Sequence, residues 1–76
     1  MRQFDRITHS ADVMGGKACV RGMRVTVSML LNLVSAGHTY QDILDNFPYL
    51  EREDILQSLQ YAAWLVDDKE VVLPES

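Results

Sequence analysis

Gly15-Gly16-Lys17-Ala18-Cys19-Val20-Arg21-Gly22-Met23-Arg24-Val25-Thr26-Val27 is the stretch on which the reading of this chain turns. It sets three glycines and three cations among β-formers, between a polar arm and the first strongly apolar segment. Gly15-Gly16 permits a tight turn at positive φ, and Gly22 permits a second. Ala18 to Arg21 and Arg24 to Thr26 therefore read as short β segments flanking a turn at Arg21-Gly22-Met23-Arg24. Arg21 and Arg24 at such a turn can be projected together toward an anion; a solvated turn that carries charge is the other reading.

Upstream, Met1 to Asp5 reads as a mobile arm, and Arg6-Ile7-Thr8-His9 as a short strand. Ser10-Ala11-Asp12 favours a turn before the glycine pair. Strands this short need a neighbour, and an arm exchanged from a partner chain would supply one.

Downstream the pattern turns helical. The first helix is expected from Val27 to Ala36, with Gly37 as a left-handed cap. Val27, Leu30, Leu31 and Val34 make one apolar stripe and Met29, Leu33 and Ala36 a second. A helix apolar on two sides packs on its own domain and on another chain, so Met29, Leu33 and Ala36 are the expected homodimer contact. Thr39, with Asp42 three residues later, caps a second helix whose buried stripe is Tyr40, Ile43, Leu44 and Phe47; Pro48 stops it. His38 before that cap reads as a surface residue. The third helix is expected from Glu51 to about Val66, with a core stripe of Ile55, Leu56, Leu59, Ala62, Ala63 and Val66. Tyr61, Trp64 and Leu65 add apolar surface on another side, suited to a contact. Helices two and three have the outline of a helix-turn-helix. The recognition positions would then be Glu51, Arg52, Glu53 and Asp54, three of which repel phosphate and are better explained as acids at a positive helix end. The expected fold is mainly α: short N-terminal β segments followed by a three-helix, helix-turn-helix-like bundle. Residues 1–26 form a basic arm within one domain, 27–66 the bundle and 67–76 an acidic tail.

The order Gly-Gly-Lys-x-Cys-Val-Arg-Gly-x-Arg-Val-x-Val resembles the signature of the domain of unknown function 433 family, in which the run reads roughly G-G-K-P-x-I-R-G-T-R-I-P-V. The resemblance continues through Ala36-Gly37, Asp42-Ile43-Leu44, Phe47-Pro48-Tyr49-Leu50, Glu53-Asp54-Ile55 and Tyr61-Ala62-Ala63. Ala18 and Thr26 stand where proline is usual, Met23 replaces a threonine, and Glu51 replaces a threonine cap. The resemblance implies a homeodomain-like helical domain and an antitoxin paired with a PIN-type ribonuclease toxin.

Composition bounds the rest. Seventy-six residues make one domain, which buries only about 60% of its unfolded surface, yet 47% of the chain is apolar. Self-association or a permanent partner is the expected remedy. One cysteine excludes an internal disulfide and suits a reducing cytoplasm, the expected location. No leader is read at the N-terminus, and the apolar run from Val25 to Val34 is too short to span a bilayer. Residues 1–26 carry five cations against two acids, a net +3, and residues 27–76 two cations against nine acids, a net −7. A basic end and an acidic end suit two different partners.

No catalytic pattern stands out. Gly16-Lys17 lacks the glycine a phosphate-binding loop needs at position 11, and no spacing pairs Cys19 with His9 or His38. No metal-ligand spacing and no cofactor motif is present, so the chain is expected not to be an enzyme. The resulting expectation is a non-catalytic antitoxin-like protein that inhibits a PIN-like ribonuclease, with autoregulation through DNA as a further role. A stand-alone DNA-binding regulator is the alternative. DNA contacts are placed at Arg6, Lys17, Arg21 and Arg24. The toxin contact is placed at Tyr61, Trp64, Leu65 and Val71, Val72 and Leu73, where aromatic anchors beside acids suit a basic partner.

Overall fold

Ile7–Thr8 forms strand β1, which pairs antiparallel with β2 (Cys19–Val20) so that Ile7 faces Val20 and Thr8 faces Cys19. The computed structural model describes residues 4–69. A single 3₁₀ turn at Met14–Gly16 links the strands. Val20, Arg21, Gly22 and Met23 then form a turn closed by a 2.8 Å bond from Met23 N to Val20 O. Arg21 and Gly22 sit at φ 47° and 72°, the paired positive values of a type I′ turn. The chain runs back along the other edge of β2: Val20 N donates to Val25 O, Cys19 bridges Thr26, and Val27 N donates to Ala18 O. The neighbour these strands need is thus their own chain, not an exchanged arm.

Helix α1 (Val27–Ser35) starts on Thr26, whose hydroxyl accepts from Met29 N at 3.0 Å, and Gly37 follows its end at φ 96°. Helix α2 (Tyr40–Asn46) carries the expected capping box. Thr39 Oγ1 accepts from Asp42 N, and Asp42 Oδ2 accepts from Thr39 N, both at 3.1 Å. Helix α3 (Arg52–Lys69) runs past the expected Val66 and packs on α1, α2 and β1. The guanidinium of Arg52 lies 5.0 Å from the Tyr40 ring centre, a cation–π contact joining α2 to α3.

The core takes Val20 from β2, Leu30, Ile43 and Ile55 from the three helices, and Val25 and Leu50 from the connecting segments. Removing each from water contributes roughly 1.5–3 kcal/mol against the entropy of folding. On α3 the stripe read from hydrophobicity holds in part: Ile55 is buried, Leu59 packs on the core, and Leu56 and Ala62 are half-buried. Asp54, Ile55 and Ser58 are buried, whereas Ala63 is exposed and Val66 is 61% exposed. Two polar side chains thus join the core face, and its C-terminal end at Ala63 and Val66 turns to solvent. Ser58 is satisfied by donating to Asp54 O at 2.8 Å.

The arm expected at residues 1–5 is also revised where it is described. Phe4 packs on α3, with its ring centre 5.2 Å from Tyr61 and 5.6 Å from Trp64. Asp5 accepts from Gln57 Nε2 at 2.9 Å. The chain is therefore mainly helical, with a short two-stranded sheet at its N-terminal side. Among the described residues no helix is long and apolar enough to cross a membrane.

Candidate functional site

The strongest electrostatic feature is a carboxylate held by two arginines. Asp54 stands at the third position of α3, on the face that Ile55 turns into the core, and is fully buried. Its Oδ1 accepts from Arg6 Nη1 at 2.8 Å and from Arg21 Nε at 3.0 Å. Its Oδ2 accepts from Arg21 Nη2 at 2.8 Å and from Glu51 N at 2.8 Å. Arg21 thus grips the carboxylate with both arms of its fork, and Nη2 also donates to Tyr49 O at 2.9 Å. Arg6 Nη1 reaches Glu51 Oε1 at 2.7 Å. Local chemistry presents both cations: the type I′ turn aims Arg21 across β2, while Arg21 N donates to Arg6 O at 2.7 Å and keeps the two side by side.

The titration of this group follows from those contacts. Burial pushes the Asp54 carboxyl up, but hydrogen bonds from Arg21, then Arg6, then the Glu51 amide outweigh it and hold it below the usual aspartate value. Both guanidiniums are raised, Arg6 first by its bond to Glu51 and Arg21 first by its bond to Asp54. With four donors on two oxygens, Asp54 has its acceptor capacity filled.

A second feature is a groove of about 480 Å³ between α1 and α3. Val27 and Leu31 line it from α1, Ala62 and Leu65 from α3, and Ala18 from the approach to β2. His9, Lys17, Ser28 and Tyr61 form its polar rim. The Tyr61 hydroxyl and His9 Nε2 lie 3.2 Å apart. Outside this groove, Trp64 is 45% exposed and Val66 more so, next to exposed Asp67.

The residues singled out from sequence fall in several places. Of the cations assigned to DNA, Arg6 and Arg21 converge on Asp54, Lys17 stands on the groove rim, and Arg24 is exposed beside Met23 and Tyr49. Met29 and Leu33, assigned to a dimer, are half-buried against the chain's own core, while Ala36 is exposed. Tyr61 and Leu65 of the toxin contact line the groove, and Trp64 lies on the outer face of α3. Val71, Val72 and Leu73 lie outside the described residues. Sequence reading missed the role of Asp54. The signal lay in its adjacency to Ile55 and its four-residue spacing to Ser58, which set all three on one helical face. Among the described residues no cluster of His, Cys, Asp and Glu is placed to hold a metal ion.

Residues 7–62 match the model of a family described as protein of unknown function, DUF433. The uncharacterized protein y4eO of Sinorhizobium fredii (strain NBRC 101917 / NGR234) is 39% identical over 56 residues, 74% of this chain and 25% of y4eO. A crystal structure of a DUF433 member protein from Anabaena variabilis ATCC 29413 superposes with a TM-score of 0.76 at 27% identity. That match covers 83% of this chain and 62% of the Anabaena chain. The chain thus spans a quarter of the curated relative and less than two thirds of the solved one.

Proposed function

The chain belongs to the DUF433 family, and we propose that it is a non-catalytic, antitoxin-like protein that binds and inhibits a PIN-like ribonuclease, acting as a homodimer in the cytoplasm. The observation that carries this reading is the outer face of α3. There Trp64 stands 45% exposed, one turn from exposed Asp67. A large aromatic next to a carboxylate is a favourable anchor for a basic, RNA-binding surface: the ring supplies apolar area, the acid the complementary charge.

The alternative, a stand-alone DNA-binding regulator, draws on the α2–α3 outline and the basic N-terminal half. Two of its four assigned cations are engaged with Asp54, which leaves Lys17 and Arg24 for phosphate. Glu51 and Glu53 are exposed at the start of α3, where a recognition helix would meet bases. These features favour a protein partner over DNA.

A search of the flanking reading frames for a PIN-type ribonuclease, followed by co-expression and a ribonuclease assay, tests the proposal. Inhibition by a stoichiometric complex is the expected result. Trp64→Ala should weaken that complex by about 2 kcal/mol, roughly thirtyfold, beyond the stability it loses with the Phe4 contact, which Phe4→Ala measures separately. A ribonuclease that stays active beside a folded chain, with operator DNA bound by the chain alone, would transfer the function to the alternative.

A further inference from the structure

We infer that the groove between α1 and α3 is a binding site for a small aliphatic monocarboxylate, with its tail on Leu31 and Leu65 and its head at Lys17. The inference is independent of the ribonuclease reading, which rests on the outer face of α3.

Three observations support it. The first is the contrast between walls and rim. Both helices give the groove aliphatic walls, and at about 480 Å³ it has the size of a small-molecule site. Among the described residues no carboxylate lines it, although the chain carries eleven acids against seven cations. The rim instead carries Lys17, which makes no ion pair among the described residues. An apolar ligand with one negative charge complements both parts of this lining, and a doubly charged head finds no second cation. The second is the grouping of the polar side chains. Val27 N donates to Ala18 O at 2.9 Å, which sets Lys17 and Ser28, their chain neighbours, on one side of the groove. The strand register that pairs Thr8 with Cys19 carries His9 to the same side, where its Nε2 lies 3.2 Å from the Tyr61 hydroxyl. An ammonium and several hydrogen-bonding groups therefore gather around Ala18, and Leu31, Ala62 and Leu65 form the apolar remainder. The third is length. The lining runs from Val27 to Leu31 on α1 and from Tyr61 to Leu65 on α3. Each wall is thus about 6 Å long at 1.5 Å per residue. A partner helix seated by anchors at i, i+4 and i+7 needs about 10 Å. The groove is too short for that and suits a single aliphatic chain.

Methyl-labelled NMR on the full chain, titrated with octanoate below its micelle concentration, tests this. The expected result is a saturable shift of the Leu31 and Leu65 methyls, with those of Ile43 and Ile55 in place. Affinity should rise by up to about fourfold for each methylene added from butanoate through hexanoate to octanoate. Acetate, the head without the tail, should move nothing, because an exposed ion pair alone contributes little. Octylamine should bind the natural chain more weakly than octanoate, and Lys17→Glu, at an exposed position, should invert that order. An order that Lys17→Glu leaves unchanged, or octylamine equal to octanoate in the natural chain, would overturn the assignment of the head to Lys17. Leu31 and Leu65 methyls that stay in place at millimolar octanoate, or that shift no more than those of Ile43 and Ile55, would overturn the site itself.

Discussion

Replacing Asp54 with alanine would leave Arg6, Arg21 and the Glu51 amide facing an empty site next to Ile55. Loss of a buried carboxylate that also caps its helix should destabilise the fold by about 2–4 kcal/mol, a large share of what so small a domain holds. The same contacts set a pH dependence whose sign is fixed by the lowered value of Asp54. A carboxyl held below its unfolded value stabilises the fold fully above about pH 4, and that stability is lost as pH falls through the folded value. Urea midpoints measured from pH 7 downward should therefore drop more steeply below pH 4 in the natural chain than in Asp54→Asn. Parallel curves would mean that the carboxylate contributes no pH-linked stability. The spacing to Ile55 and Ser58 marks the face of Asp54 but not its partners, because Asp54 lies 48 residues from Arg6 and 33 from Arg21. An acid in the first turn of a helix is already explained by the helix dipole, so nothing local calls for a distant partner.

Features that depend on spacing within one element were legible. Thr39 and Asp42 are three residues apart, and that separation alone dictates the reciprocal bonds seen at the start of α2. Thr39→Ala should cost about 1 kcal/mol in chemical unfolding, with no change in the burial of Ile43. A cost near zero would mean that the box is frayed in solution. Gly37 likewise ends α1 because a left-handed residue is cheapest without a Cβ. The face of α3 was legible in Ile55 and Leu59 but not in Asp54 and Ser58, for a physical reason: hydrophobic periodicity counts apolar residues, and this helix also buries two polar ones through hydrogen bonds. The groove was hidden for another reason. Its walls come from two helices whose relative placement no local pattern states, and its rim from His9 and Lys17 in the N-terminal segment.

At the scale of the molecule, the N-terminal segment is built into the helical domain. Phe4 rests on Tyr61 and Trp64, Arg6 N donates to Gln57 Oε1 at 2.6 Å, and both arginines close on Asp54. The proposed homodimer belongs to this scale. Light scattering at micromolar concentration should give the mass of two chains, and a one-chain mass would remove the dimer. Ala36→Glu, at an exposed position, should return the mass to one chain with the helical fold retained and only the concentration-dependent part of its stability lost, whereas Met29→Glu with Leu33→Glu should also weaken the core. The central structural claim is that residues 4–26 and α3 form one cooperative unit tied at Asp54. A double-mutant cycle of Arg21→Gln and Asp54→Asn, followed by urea unfolding, measures that tie directly. Removing Arg21 should destabilise the natural chain and change the Asp54→Asn chain little, because its main acceptor is already altered. Equal losses in the two backgrounds would show that Arg21 and Asp54 act independently and would contradict the account.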